Sequence, residues 1–336
     1  GEGRRCLTVA SLADGVVLGS GSGLAFAPGA ISVATENTLV ALPMVGVGFT
    51  LEAGASFTLP RLQSQMLGGL AGGGEGGATA LGTWLALTGA RVVGRDVRKC
   101  GLASHWVPSP RLESLEGLLC EFAQQASAQH ALETQRGGAG DGAAAAAAAD
   151  TTRALLSKAV TALGVQASEA ASAAAGNGGG IERDRQEPTF LDLHAEEIVR
   201  CFSHPELQDV RAAVAEASAR EAEEALGGRQ GAGWAVAAER ELSRAPPTAL
   251  AVTFELLRRG AGPGASLAEC LEAELRAGRR LLATADFERA SAMAMSQKRF
   301  GEGGGPGEGG WAPPPESRDE LRAFFEPDAH VGLSGL

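Results

Sequence analysis

Tyrosine is absent from this 336-residue chain, aromatic residues make up only 4%, and lysine occurs three times, at Lys99, Lys158 and Lys298. Alanine, arginine and 48 glycines dominate instead, a bias that genome composition produces as readily as protein physics, so no structural inference rests on it. A net charge of −11 argues against nucleic acid as the main partner, because a surface that tracks phosphates needs clustered lysine and arginine. No apolar run approaches the roughly 20 residues of a membrane-spanning helix. The five cysteines (Cys6, Cys100, Cys120, Cys201, Cys270) are odd in number and show no CxxC spacing. In a chain this long they point to reduced thiols in the cytosol or mitochondrial matrix rather than to a disulfide framework. The chain opens on Gly1 with no signal peptide or amphipathic transit segment, so the expectation is that upstream residues have been removed or that this is a fragment.

What is present suits one large or two ordinary domains, with 44% hydrophobic residues to fill a core. Residues 6–12 (CLTVASL) read as a buried strand, followed by a glycine-rich turn from Gly15 to Gly23 and a short helix to about Ala27. Residues 31–42 (ISVATENTLVAL) contain β-branched side chains and end at Pro43, consistent with strand and turn. Residues 81–90 read as a helix stopped by Gly89, and 91–107 as a further helical turn leading into a strand, LASHWV. Residues 67–79 and 137–179 are low in complexity and predict mobile segments, although alanine favours helix within TTRALLSKAVTALGV. A third loose stretch covers 301–315. From 186 onward the chain is helical in character: 191–203 and 207–227 are amphipathic, 249–259 follows two prolines, and 266–282 opens on Ser266 with Glu269 three residues on. That last segment places Leu267, Cys270, Leu271 and Leu275 on one stripe.

The stretch ATENTLVALPMVGVGFTLEAGASFTLPRLQ, from Ala34 to Gln63, resembles the 3-hydroxyisobutyryl-CoA hydrolase branch of the crotonase (enoyl-CoA hydratase/isomerase) superfamily. LALTGARVVGRDVRKCGLASHWV (85–107) follows an order common to many crotonase members, while RCFSHPE (200–206), LSRAPPTAL (242–250) and the 266–282 helix are more particular to the hydrolase branch. The resemblance covers most of 6–325 outside the low-complexity stretches. It implies an α/β fold, the crotonase ββα spiral stacked into two sheets, with a helical C-terminal region. The expected organisation is a spiral core over 1–136, an insertion over 137–182 and a helical region over 183–330. Family members carry further upstream residues that supply early spiral turns, part of the coenzyme A site and one of two oxyanion donors.

Thioester hydrolysis develops negative charge on the carbonyl oxygen, which preorganised backbone N–H groups stabilise. In the family one donor comes from a glycine turn at a helix N-terminus, and the matching residues here are Gly19, Ser20 and Gly21. Ser20 adds a Cβ where the thioester approaches; the alternative is a strand-to-helix turn that binds nothing. The family's two acids, one just after the proline and one eight residues later, fall on Met44 and Glu52. Met44 has no proton to move. Glu52 is either a general base or a solvated turn residue. Hydratases of the superfamily place their paired carboxylates at positions that match Gly23 and Met44, neither of them acidic, so hydration is disfavoured more strongly than hydrolysis. Lys298 matches a family lysine that meets coenzyme A phosphates, or is a surface lysine, and the family's arginine motif before it is replaced by Arg289, Ala290, Ser291 and Ala292. His105 in SHWV suits packing better than catalysis. His130, His194, His204 and His330 lack metal-ligand spacing, and no GKS or GKT follows the glycine-rich stretches.

The resemblance implies an enzyme of valine breakdown in the mitochondrial matrix. Its substrate would be a short β-hydroxyacyl-CoA thioester, with no cofactor beyond the coenzyme A of the substrate; the net charge and the lack of a long apolar run add the expectation of no direct nucleic-acid contact and no membrane partner. Met44 and Ser20 predict weak or no turnover. The alternative is a non-catalytic structural protein that keeps the fold within a larger assembly, as hydrolase-like proteins do in the mitochondrial ribosome small subunit.

Overall fold

The computed structural model describes residues 9–62, 76–121, 188–226, 233–296, 311–315 and 317–326, together with residues 124, 154, 156–158, 160 and 161. In chain order its elements are β1 (Ala10–Ala13), β2 (Val16–Leu18), α1 (Gly21–Ala25), β3 (Ile31–Ala34), β4 (Leu39–Ala41), α2 (Ala55–Thr58), α3 (Gly76–Thr88), β5 (Val92–Val93), α4 (Arg95–Lys99) and β6 (His105–Trp106). The helices α5 (Phe190–Phe202), α6 (Leu207–Leu226), α7 (Trp234–Arg244), α8 (Pro247–Gly260), α9 (Leu267–Leu282), α10 (Ala285–Ser296) and α11 (Arg318–Ala323) follow. Successive β-β-α units send one strand to each of two three-stranded sheets, in orders β1-β3-β6 and β2-β4-β5. This is the spiral that the resemblance implies.

The chain divides into two compact units, the first made of residues 1–16, 25–39 and 93–189, the second of 17–24, 40–92 and 190–336. In the first unit β3 pairs in parallel with β1, Ala10 opposite Ile31, and with β6, Val33 opposite His105. All four β3 side chains are buried, as a parallel strand covered on both faces requires. The turn after β3 is held by side chains: the Thr35 N–H donates to Thr38 Oγ1 at 2.7 Å, and Asp14 Oδ1 accepts from the Thr35 hydroxyl. A helical stretch at 112–121 covers this sheet through Leu115, and Ile31, Val33 and Val107 share its core.

Leu156 and Val160 complete that core, 7% and 1% exposed. They lie inside 137–179, which composition alone assigns to a mobile insertion, so this part of the expectation is corrected. Leu156 and Val160 sit four apart on a helical turn and bury two aliphatic side chains, which offsets the ordering entropy that polyalanine and glycine cannot. The remainder of that stretch lies outside the described residues. Residues 67–75 lie outside them too, whereas 76–79 form the first turn of α3. Of the loose 301–315 stretch, 311–315 is anchored by the Ala312 N–H, which donates to Asp286 Oδ1 at 3.0 Å.

In the second unit α3 runs to Gly89, whose φ of +62° ends the helix in the left-handed region. Trp84 of α3 stacks on Phe190 of α5, with ring centroids 5.9 Å apart, and Phe190 in turn meets His194. Helix α8 starts with Pro247 in its first turn, as the double proline predicts. Helix α9 carries the full capping box: Ser266 accepts from the Glu269 N–H, and the Glu269 carboxylate accepts from the Ser266 N–H at 2.9 Å. Its buried face differs from the expected stripe. Leu271 and Leu275 are exposed, while Cys270, Glu274, Ala277, Gly278 and Leu281 face inward. Small side chains let the helix approach its neighbours closely, since a Cβ on Gly278 would lie 2.9 Å from the Phe49 ring. Glu274 points inward because its carboxylate meets backbone donors there.

Candidate active site

Gly19 follows β2 in the left-handed conformation, φ +53°, and its N–H donates to Ala41 O of β4 at 3.0 Å. That donor is therefore used inside the sheet. The N–H groups of Ser20 and Gly21 stand at the start of α1, where a helix has no internal acceptor for them. The turn is closed from within, because the Ser22 N–H and hydroxyl both donate to Gly19 O, at 3.0 and 2.7 Å. Ser20 itself is exposed.

Met44 begins the turn after β4, and its carbonyl accepts from the N–H of Val47 and of Phe49. Its thioether lies against Gly19: a Cβ placed on Gly19 would be 3.1 Å from Met44 Sδ. The residue that replaces the expected acid is thus packed on the residue that opens the expected oxyanion turn. In the middle of α1, Gly23 abuts the segment that carries Glu52. A Cβ on Gly23 would lie 2.2 Å from Ala53 O and 2.5 Å from Ala53 Cβ. No side chain fits there without moving backbone, so the position that would hold a second hydratase carboxylate is closed in this fold. Helix α1 therefore stands between Met44 and the Glu52 segment, and Gly19, Ser20, Gly21, Met44 and Glu52 form one neighbourhood within the second unit.

Glu52 is half-buried, and among the described residues no hydrogen bond or ion pair engages its carboxylate. Its backbone is tightly held. The Ala55 N–H donates to Glu52 O at 3.2 Å, and Thr50 shares a 2.8 Å hydroxyl contact with Thr253 of α8. After Glu52 come two left-handed residues, Ala53 at φ +57° and Gly54 at φ +82°. Ala53 is the one non-glycine residue with positive φ among the described residues. An alanine held there costs about 1–2 kcal/mol, a strain that persists only where the surroundings impose it. The surroundings include Glu274 of α9, whose carboxylate accepts from the N–H of Gly54 and of Ser56, each at 2.8 Å. Nothing in the local sequence marks Glu274 or Ala53 as part of this site, because the contact spans about 220 positions along the chain.

Two cavities of about 400 and 500 Å³ lie elsewhere in the second unit. The first is lined by Thr248, Thr284, Pro313, Pro314, Pro315, Glu320 and Phe324, and the second by Arg259, Arg322, Phe325 and Glu326. Neither includes a residue of the Gly19–Glu52 neighbourhood. Lys298 lies outside the described residues. Arg289 pairs with Asp286 at 2.9 Å. His105 is a packed histidine of the first unit: Nδ1 meets Ser104 Oγ at 2.7 Å and Nε2 meets Ser157 Oγ at 2.8 Å. Burial pushes its pKa below the ordinary imidazole value. Among the described residues no three His, Cys, Asp or Glu side chains converge on a metal site.

The two three-stranded sheets and their ββα units define a crotonase-type fold, and solved structures share it. A carnitinyl-CoA dehydratase from Mycobacterium thermoresistibile superimposes with a TM-score of 0.56 at 22% identity, over 98% of this chain and 70% of that one. An enoyl-CoA hydratase from Rhodobacter sphaeroides 2.4.1 does so with a TM-score of 0.55 at 20% identity, over 95% and 68%. The sequence pattern of the enoyl-CoA hydratase/isomerase family matches residues 6–148 and 140–299, and the chain belongs to that family. Within it, the similarity runs to 3-hydroxyisobutyryl-CoA hydrolases. The mitochondrial protein of Danio rerio is 42% identical over 106 residues, 32% of this chain and 24% of that protein. The mitochondrial protein of Dictyostelium discoideum is 26% identical over 277 residues, 82% of this chain and 54% of that protein. The chain thus spans about a quarter of the length of the first relative and about half of the second.

Proposed function

We propose that this chain carries a 3-hydroxyisobutyryl-CoA hydrolase-type site, with Glu52 as the general base. Glu52 takes a proton from water, the water oxygen adds to the thioester carbonyl, and the C–S bond breaks. The proton passes to the departing thiolate, leaving a short β-hydroxy acid and free coenzyme A. The developing oxyanion is met by one backbone N–H of the Ser20–Gly21 turn, one of the two donors that the family resemblance implies. The reading needs no cofactor beyond the coenzyme A of the substrate and carries with it a role in valine breakdown in mitochondria; the Danio rerio and Dictyostelium discoideum relatives are mitochondrial proteins by name. One observation carries it: Glu52, whose carboxylate no group among the described residues engages, stands on a strained, tightly anchored turn packed against helix α1, at whose start the Ser20 and Gly21 N–H groups stand.

Met44 favours a second reading, a non-catalytic protein that keeps the fold as part of an assembly such as the mitochondrial ribosome small subunit. Its thioether lies on Gly19 where the family resemblance implies an acid. Loss of an acid–base group typically costs about 10² to 10⁴ in rate. The two readings separate in a thiol-release assay with saturating 3-hydroxyisobutyryl-CoA. The hydrolase reading expects slow turnover, lowered about 10²- to 10⁴-fold in Glu52→Gln and raised by Met44→Glu. No turnover, and no gain from Met44→Glu, leaves the structural reading standing.

A further inference from the structure

We propose that Glu274 is a positioning residue that sets the Glu52 carboxylate through the backbone of the intervening turn; this rests on the reading of Glu52 as the base. Glu274 is 4% exposed, and no cation pairs with it among the described residues. Its two oxygens instead take one N–H each, Oε2 from Gly54 and Oε1 from Ser56, both at 2.8 Å. A buried carboxylate is costly unless every lone pair has a strong partner, and charge-assisted bonds of this length supply that. One donor belongs to the left-handed pair Ala53–Gly54 immediately after Glu52, and the other lies two residues further on, at Ser56. Gly54 is also pinned sterically, since a Cβ there would lie 2.8 Å from Leu267 Cδ1 of the same helix.

The side chain is planted on a stiff support. Helix α9 is capped at Ser266, and Gly278 abuts the Phe49 ring, which precedes Glu52 by three residues. Helix α8 closes the other side, where a Cβ on Gly260 would sit 1.9 Å from Ser56 O. With Ala53 wedged under Gly23, the turn has one place to go, and Glu274 decides its orientation. A glutamine could not do the same work. It offers one acceptor and one NH₂ group, and the NH₂ would face an amide N–H donor.

The test uses the whole chain and three variants: Glu274→Gln, Glu52→Gln and the double substitution. Losing one charge-assisted bond to a buried amide predicts a kcat about 10- to 100-fold lower for Glu274→Gln. KM should stay within about twofold, because the change acts on the base and not on substrate binding. The double variant should be no slower than Glu52→Gln alone, whereas a general structural defect would slow both backgrounds equally. Glu274→Asp, which keeps the charge, should recover part of the rate; it is also read in place of Glu274→Gln if the latter does not fold. Unchanged kcat in Glu274→Gln, or equal slowing in both backgrounds, overturns the proposal. A wild-type chain with no turnover defeats the hydrolase reading alone. The positioning is then judged by carbon-13 NMR titration of the Glu52 carboxyl and by amide exchange at Gly54 and Ser56. A displaced Glu52 midpoint with faster exchange in Glu274→Gln supports it, and identical curves overturn it.

Discussion

Gly21 and Gly23 lie two residues apart in α1, neither in the left-handed region, yet alanine at the two positions should have opposite consequences. In the middle of a helix alanine is favoured over glycine by about 0.5–1 kcal/mol, a gain that applies at Gly23 and only in part at Gly21, the first residue of α1. At Gly21 the new methyl group meets only Val17 Cγ1 at 3.9 Å, an ordinary contact. At Gly23 it would lie 2.2 Å from Ala53 O, and real Cβ atoms essentially never come closer than 3.0 Å, so the backbone has to give by at least about 0.8 Å. Ala53 has little freedom to yield, being already at positive φ and followed by Gly54, which Glu274 holds. Overpacking of this kind costs about 1–3 kcal/mol and outweighs the propensity gain. Gly23→Ala should therefore melt about 2–8 °C below the wild type, and Gly21→Ala at or slightly above it. Calorimetry or circular dichroism on the two variants reads this directly, and thiol release should fall in Gly23→Ala because Ala53 carries Glu52 with it. Equal melting of the two variants would refute the close packing of α1 on the Glu52 turn.

Leu156→Ala should destabilise the first unit by about 2–5 kcal/mol in urea, as truncation of a buried aliphatic side chain does; a loss under about 0.5 kcal/mol, typical of surface sites, would show that Leu156 is not part of its core. Asp14 has its pKa lowered from the ordinary 3.8, chiefly by the Thr35 hydroxyl and then the Ser109 hydroxyl. A depressed carboxyl stabilises the fold above its unfolded value and loses that contribution as pH falls through the folded one. The stability gap between wild type and Asp14→Asn should thus be steady from pH 6 to about 4 and close at lower pH; a gap that widens on acidification contradicts it.

Much of this protein is legible as a string. The family rests on local spacing: a strand ending at Pro43, a glycine-containing turn, Glu52 and the LPR segment lie within about thirty residues, and each is a short-range preference of backbone and turn chemistry. Helix starts were equally readable, as Ser266 with Glu269 and the Pro246–Pro247 pair show, because a cap is satisfied within one turn. Which face of a helix turns inward is a different question. Leu271 and Leu275 belong to an apolar stripe by periodicity but stand in solvent, because α9 is docked through Glu274 and Gly278 instead. Leu156 and Val160 look like part of a featureless alanine-rich run until Ile31 and Val33 are placed beside them. The hold of Glu274 on the Gly54–Ser56 backbone, the closing of Gly23 by Ala53 and the seating of Met44 on Gly19 all join residues far apart in the chain or on separate elements. Such contacts depend on ångström-scale approach and on the number of donors and acceptors that meet, quantities that exist only once the chain has folded.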